Sequence, residues 1–189
     1  DYTLTDEDYY SFLGPTLYDS FARYFDISEV DALVAEYREI NLELHDQYVK
    51  PMDHVVEVLE DLKAQGYTMS IVSSKLQAPI LYALELTNMS HLFEVVWGMD
   101  NYEKIKPDPD GIIRIMKENF YDRSSFIYLG DTVTDIEAGK RAGAFTIGYV
   151  FDKNREQALI DSEPNVLIDD WRELPKILEG DHEWTYNTI

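Results

Sequence analysis

Cysteine is absent from this chain of 189 residues, which excludes disulfides, thiolate metal sites and cysteine nucleophiles. Long apolar runs are absent too, and no stretch approaches the length of a membrane span. The acidic N-terminus has none of the basic and apolar character of a signal peptide. The expectation is a soluble, cytoplasmic protein. Positive charge is scarce: 16 Lys and Arg stand against 37 Asp and Glu, a net charge of -21. Such a surface disfavours nucleic acid and anionic membranes as partners. It leaves a phosphorylated small molecule open, because a metal ion and one or two lysines reverse the sign locally. What is present is enough for a packed core, with 45% hydrophobic and 13% aromatic residues. That suits one domain, or a compact core with a small insertion.

Residues 1–50 carry no strand pattern. Thr5 and Asp8 have capping-box spacing, and the helix they open should stop at Gly14-Pro15. A second helix is expected from about Thr16 to Tyr24. Ser28 is placed to cap a third, with Val30, Leu33, Val34, Tyr37, Ile40, Asn41 and Leu44 as its apolar stripe. From Pro51 onward helix and strand patterns alternate. Val55, Val56, Leu59 and Leu62 make an amphipathic helix stopped by Gly66, and Tyr67 to Val72 reads as a strand. A helix over Gln77 to Leu86 and a strand over Phe93 to Trp97 follow. Then come a helix carrying Ile112, Ile113, Ile115 and Met116, and the stretch Phe126 to Val150. Beyond it lie a helix near Arg155, a strand over Asn165 to Ile168 and a helix from Trp171 to Leu178.

The stretch from Phe126 to Val150 is the most informative. An apolar run ends at Gly130, and Asp131 and Asp135 follow at a spacing of four. A small-residue helix with Ala138, Gly139, Ala142 and Gly143 leads into a second apolar run. That is the grammar of a parallel α/β sheet. Ligands in such sheets bind beyond the carboxyl ends of strands, where Asp131 falls. A carboxylate there suits a hard cation such as Mg²⁺, although both aspartates could equally cap the helix that follows. Two further polar clusters sit just past strand patterns: Ser73-Ser74-Lys75, and Lys104 with Lys106.

In this order the clusters resemble those of the haloacid dehalogenase superfamily of phosphohydrolases. Ile71-Val72-Ser73-Ser74-Lys75 resembles that family's second motif, and Lys106-Pro107-Asp108-Pro109 its third. Gly130-Asp131 with Asp135, Ala138-Gly139 and Ala142-Gly143 resembles its fourth. The resemblance covers residues 51–178. Residues 1–50 are similar to the helical cap of the phosphoglycolate phosphatase and pyrophosphatase branch, with Gly14-Pro15-Thr16 in its substrate-facing loop. It implies a Rossmann-like α/β core with a parallel sheet over residues 51–189, plus a small all-helical cap over 1–50.

The same resemblance assigns roles. Ser73 would donate to a phosphoryl oxygen and Lys106 would neutralise phosphate. Asp131 would hold Mg²⁺ directly, with Asp135 in support. Ser74 and Lys75 would line the mouth, and Gly14, Pro15 and Thr16 would help choose the leaving group. The implied activity is Mg²⁺-dependent hydrolysis of a small phosphate ester, phosphoglycolate phosphatase-like, through an aspartyl-phosphate. The family's first motif, Asp-x-Asp-Gly-Thr, is not in the sequence. Asp6-Glu7-Asp8 has its carboxylate spacing without the strand before it or the Gly-Thr after it. The chain by itself is therefore expected to be inactive. The alternative is a non-catalytic fragment or binding module with a vestigial site; a phospho-accepting receiver domain leaves residues 1–50 unplaced. With the nucleophile strand missing, residues 184–189 are the candidate to fill its slot in the sheet. Substrate identity and oligomeric state stay open.

Overall fold

The computed structural model describes residues 4–119 and 126–180. The expected strand at 184–189 lies outside them. The chain divides into two compact units, residues 1–50 and 51–189.

The first unit is helical: α1 (Asp6–Ser11), α2 (Leu17–Phe21) and α3 (Ile27–Tyr48). Thr5 and Asp8 form a reciprocal capping box at the start of α1, satisfying two of the amides that every helix start leaves without partners. The other Asp8 oxygen accepts from the Tyr24 hydroxyl at 2.9 Å, so this carboxylate is committed to local structure. Thr16 caps α2, after a turn in which Gly14 takes a φ of 113°. Phe12 stacks on Tyr24 and meets Phe21 edge-on, both with ring centroids 5.7 Å apart; such pairs add to simple burial. The structure corrects the expectation for the third helix. Asp26, not Ser28, is its N-cap, and its Oδ1 accepts from Ser28 N at 2.9 Å and Ser28 Oγ at 2.6 Å. Ile27 is already helical, so the residue before it holds the cap. The apolar stripe is also only partly buried: Val30 and Val34 are enclosed, while Tyr37, Ile40 and Leu44 are exposed.

The second unit alternates helix and strand. Its elements are α4 (Val55–Ala64), β1 (Ser70–Val72), α5 (Gln77–Leu86), β2 (Val95–Trp97), α6 (Asp110–Glu118), β3 (Ile127–Gly130), α7 (Val133–Ala142), β4 (Phe145–Tyr149), α8 (Glu156–Asp161), β5 (Val166–Ile168) and α9 (Leu174–Glu179). The first strand begins later than its apolar pattern because Tyr67 N still bonds to Leu62 O at 3.1 Å. That closes the end of α4 around Gly66, whose φ is 93°, a conformation that costs a side-chain-free residue nothing.

Among the described residues, all strand pairs are parallel. Strands β1 and β2 form one sheet and β3, β4 and β5 another, in that order. The two share their cores. Ile71, Val96, Ile127 and Leu129 pack with α4, α5 and α9 against Leu59, Leu62, Ile80 and Leu84. Val72 and Tyr128, one residue out of phase, pack against Ile112, Met116, Ala138 and Ala142 of α6 and α7. The period of two in β1 and β3 thus sends alternate residues to opposite faces, as in a layer covered on both sides by helices. Its carboxyl-terminal edge carries the polar clusters.

Candidate active site

Strand β1 runs out at Val72 and β3 at Gly130, and the loops leaving them bear Ser73 and Asp131. Lys106 joins the two. Its Nζ donates to Asp135 Oδ1 at 2.6 Å and to the Val72 carbonyl at 3.4 Å. Both side chains of this ion pair are enclosed, Lys106 at 10% and Asp135 at 7% exposure. Sequence alone left Lys104 and Lys106 side by side. Lys104 instead reaches a solvent-facing pair with Asp108.

The loop that aims Lys106 is folded by its own carboxylates. Asp110 Oδ2 accepts from the Glu103 and Lys104 amides at 2.9 and 3.2 Å, and Asp108 Oδ1 accepts from Asp110 N at 3.0 Å. The Lys106–Pro107 peptide is cis, and Arg141 donates to the Pro107 carbonyl at 2.9 Å.

Asp135 serves two masters. Its Oδ2 accepts from Thr132 N at 3.1 Å and Thr132 Oγ1 at 2.6 Å, and Thr132 Oγ1 accepts in turn from Asp135 N. This is the capping box of α7, so the helix-cap reading of Asp135 holds. The carboxylate lies directly over Gly130, where a Cβ would come within 2.3 Å of the Asp135 Cβ. Any side chain at 130 would have to displace it.

Asp131 is more open, at 47% exposure, and meets Arg155 with Nη1 3.4 Å from its Oδ2. Partial burial, and then the Asp135 carboxylate, raise its pKa above the ordinary value; Arg155 and Lys106 oppose the rise. Carboxylates crowded at a low-dielectric edge attract cations. Asp131 and Asp135 offer hard carboxylate oxygens of the kind a Mg²⁺-type ion takes, Asp131 half exposed and Asp135 Oδ1 already bonded to Lys106. Among the described residues there is no group of three or more acidic or histidine side chains placed to hold a metal.

Ser73 N bonds to the Trp97 carbonyl, and Ser73 Oγ accepts from Lys75 N at 3.2 Å. Its hydroxyl proton finds no acceptor among the described residues. Ser74 Oγ is buried, also without a hydrogen-bond partner among the described residues, whereas Lys75 is exposed. Gly14, Pro15 and Thr16 belong to the helical unit, and Thr16 Oγ1 is occupied with Asp19 at 2.7 Å.

Several residues at this edge went unnoticed in the sequence. Tyr102 donates to the Ser73 carbonyl at 2.8 Å and Tyr128 to the Val72 carbonyl at 3.3 Å. Burial pushes both phenols above the ordinary tyrosine range, which keeps them protonated donors. Thr132 was recoverable from its spacing to Asp135. Arg155 was not.

The parallel α/β core and the lysine–aspartate edge define a class that comparison with known proteins makes specific. The family model for haloacid dehalogenase-like hydrolases matches residues 1–149. A pyrophosphatase PpaX from Bacillus velezensis is 33% identical over 168 residues, covering 89% of this chain and 77% of that protein. One from Listeria monocytogenes is 32% identical over 181 residues, covering 96% of this chain and 83% of its own length. Among solved structures, a haloacid dehalogenase-like hydrolase from Streptococcus pneumoniae shares the fold with a TM-score of 0.83 at 17% identity, covering 94% of this chain and 83% of that one. The chain belongs to the haloacid dehalogenase-like hydrolase family.

Proposed function

We propose that this chain carries the phosphate- and cation-holding part of a Mg²⁺-dependent phosphohydrolase of small phosphate esters, phosphoglycolate phosphatase-like. The reaction runs through an aspartyl-phosphate whose nucleophilic carboxylate is not in this sequence. A carboxylate oxygen bonds to phosphorus as the ester oxygen leaves; water then attacks the same phosphorus and frees the carboxylate with inorganic phosphate. When bound, Mg²⁺ offsets phosphate charge and fixes it for in-line attack. Asp131 would hold it, supported by Asp135. Lys106 places a fixed positive charge beside the phosphoryl group, Ser73 donates its unspent hydroxyl proton to a phosphoryl oxygen, and Ser74 and Lys75 lie next along the loop. Gly14, Pro15 and Thr16 remain the proposed selectors of the leaving group.

The observation that carries this reading is Lys106, whose Nζ contacts both Asp135 and the end of β1. The relatives named as pyrophosphatases add pyrophosphate to the substrates worth testing. A second reading, a non-catalytic binding module, draws on the same residue, because the charge of Lys106 is already matched by enclosed Asp135.

Binding of inorganic phosphate separates the two. With Mg²⁺ present, phosphorus NMR line broadening should show millimolar binding that Lys106→Ala abolishes. Binding indifferent to Lys106→Ala, or none at all, would overturn the phosphohydrolase reading. The chain alone should turn over neither p-nitrophenyl phosphate, phosphoglycolate nor pyrophosphate. Turnover that Lys106→Ala removes would mean the sequence holds a nucleophile after all.

A further inference from the structure

The turn after β4 sends two cations in different directions. Asp152 caps it, its Oδ1 accepting from Asn154 N at 2.9 Å, and Arg155 N bonds to Asp152 O at 3.0 Å. Lys153 goes to solvent at 68% exposure and pairs with Glu156 and Asp169. Arg155 turns inward to 13% exposure. Its guanidinium carbon lies 5.4 Å from the centre of the Phe151 ring, a cation–π distance. From there it spans the carboxyl-terminal edge of the sheet, from the loop after β4 to the loop after β3, and ends on Asp131.

That contact differs from the neighbouring ion pair. Lys106 and Asp135 meet at 2.6 Å with both partners enclosed. Arg155 and Asp131 meet at 3.4 Å, longer than the roughly 2.7–2.9 Å of a strong charge-assisted bond. The arginine is enclosed while the carboxylate keeps an open face to solvent. Exposed pairs of mobile side chains are worth little, but this cation is held in place by its turn and by an aromatic ring. It faces the accessible carboxylate of Asp131 without saturating it.

We propose that Arg155 is a built-in counter-ion that holds Asp131 in the place of a divalent cation and must yield when that cation binds. The proposal rests on the cation reading of Asp131 given above. Arginine cannot shed its proton, so the conflict with an incoming dication is relieved only by movement of the guanidinium. Lys106 also acts on Asp131 through its charge, but its direct ion pair is with Asp135, whereas Arg155 meets Asp131 itself. Arg155 is thus a positioning residue that sets cation affinity. The presence of this arginine makes the site a weak one until the guanidinium moves away.

Manganese(II) is the probe, with free ion counted by electron paramagnetic resonance on the full chain. Arg155→Met should tighten Mn²⁺ binding roughly tenfold, as expected for removing a unit charge from beside a dication. Asp131→Asn added to it should abolish the gain. Arg155→Lys keeps the charge and should bind like the parent protein; circular dichroism checks the fold of each. Should Arg155→Met not fold, Arg155→Gln carries the same expectation. If the parent protein binds Mn²⁺ and the neutral variants bind no more tightly, the counter-ion role is wrong while the cation reading stands. If neither the parent nor the neutral variants bind Mn²⁺ up to millimolar concentration, the cation reading fails and the proposal with it.

Discussion

Lys106 and Asp135 hold the two half-sheets' ends to one loop, and enclosure makes that link costly to cut singly. Removing one member of an enclosed ion pair leaves a charge without compensation, typically worth about 3–5 kcal/mol. Lys106→Met should therefore lower stability by about that much, read from the urea midpoint. Adding Asp135→Asn should restore part of the loss, because the orphaned charge goes with it; purely additive losses would mean the pair contributes nothing as a pair. At this scale the sequence was partly readable. Asp131 stood out by falling just past an apolar run, and Lys106 by the prolines around it. Tyr102, Tyr128 and Arg155 did not, for a physical reason. A tyrosine in an apolar stretch looks like core, and its hydroxyl's destination depends on backbone carbonyls far along the chain. An arginine past a strand looks solvated until the turn that aims it is known.

Helix α7 shows how one element sets up the site. Thr132 and Asp135 cap each other, and that exchange places the Asp135 carboxylate over Gly130. Thr132→Ala should cost about 1 kcal/mol, the usual loss for an N-cap, while Thr132→Ser should keep most of it. Thermal melts of the two variants check this; equal melts would mean the amide of Thr132 alone orients Asp135. Elements with local signals were legible at this scale. The helix Gln77–Leu86 follows from its apolar pattern, and α4 from its spacing and its terminating glycine. Ser28 misled because serine and aspartate are both good caps, and Asp26 two residues earlier takes the role. The half-exposed stripe of α3 misled because periodicity reports an apolar face without saying what covers it.

For the molecule as a whole, the dominant number is the net charge of -21. Self-repulsion of that size opposes compactness. Raising salt from about 10 to about 150 mM shortens the screening length from about 30 to about 8 Å. The melting temperature should rise by a few degrees over that range. A fall would mean that attractive surface pairs, such as those of Lys153 and Arg172, outweigh the repulsion. The division at Pro51 was legible because the pattern changes there from helices alone to alternation. Among the described residues, the grouping of β1 with β2 and of β3 with β4 and β5 follows from no local signal, since pairing is a property of partners distant in sequence.

The end of β1 is held from several directions. Its final carbonyl, on Val72, is reached by Lys106 from the loop before α6 and by Tyr128 from β3; the next, on Ser73, is reached by Tyr102. Side chains from three places therefore moor a strand only three residues long. Lifting the lysine loop would strip the strand end of one of these bonds while its pairing with β2 stays. Opening of the loop should therefore raise the fraying of β1, and faster amide hydrogen exchange at the end of β1 in Lys106→Met would show that coupling.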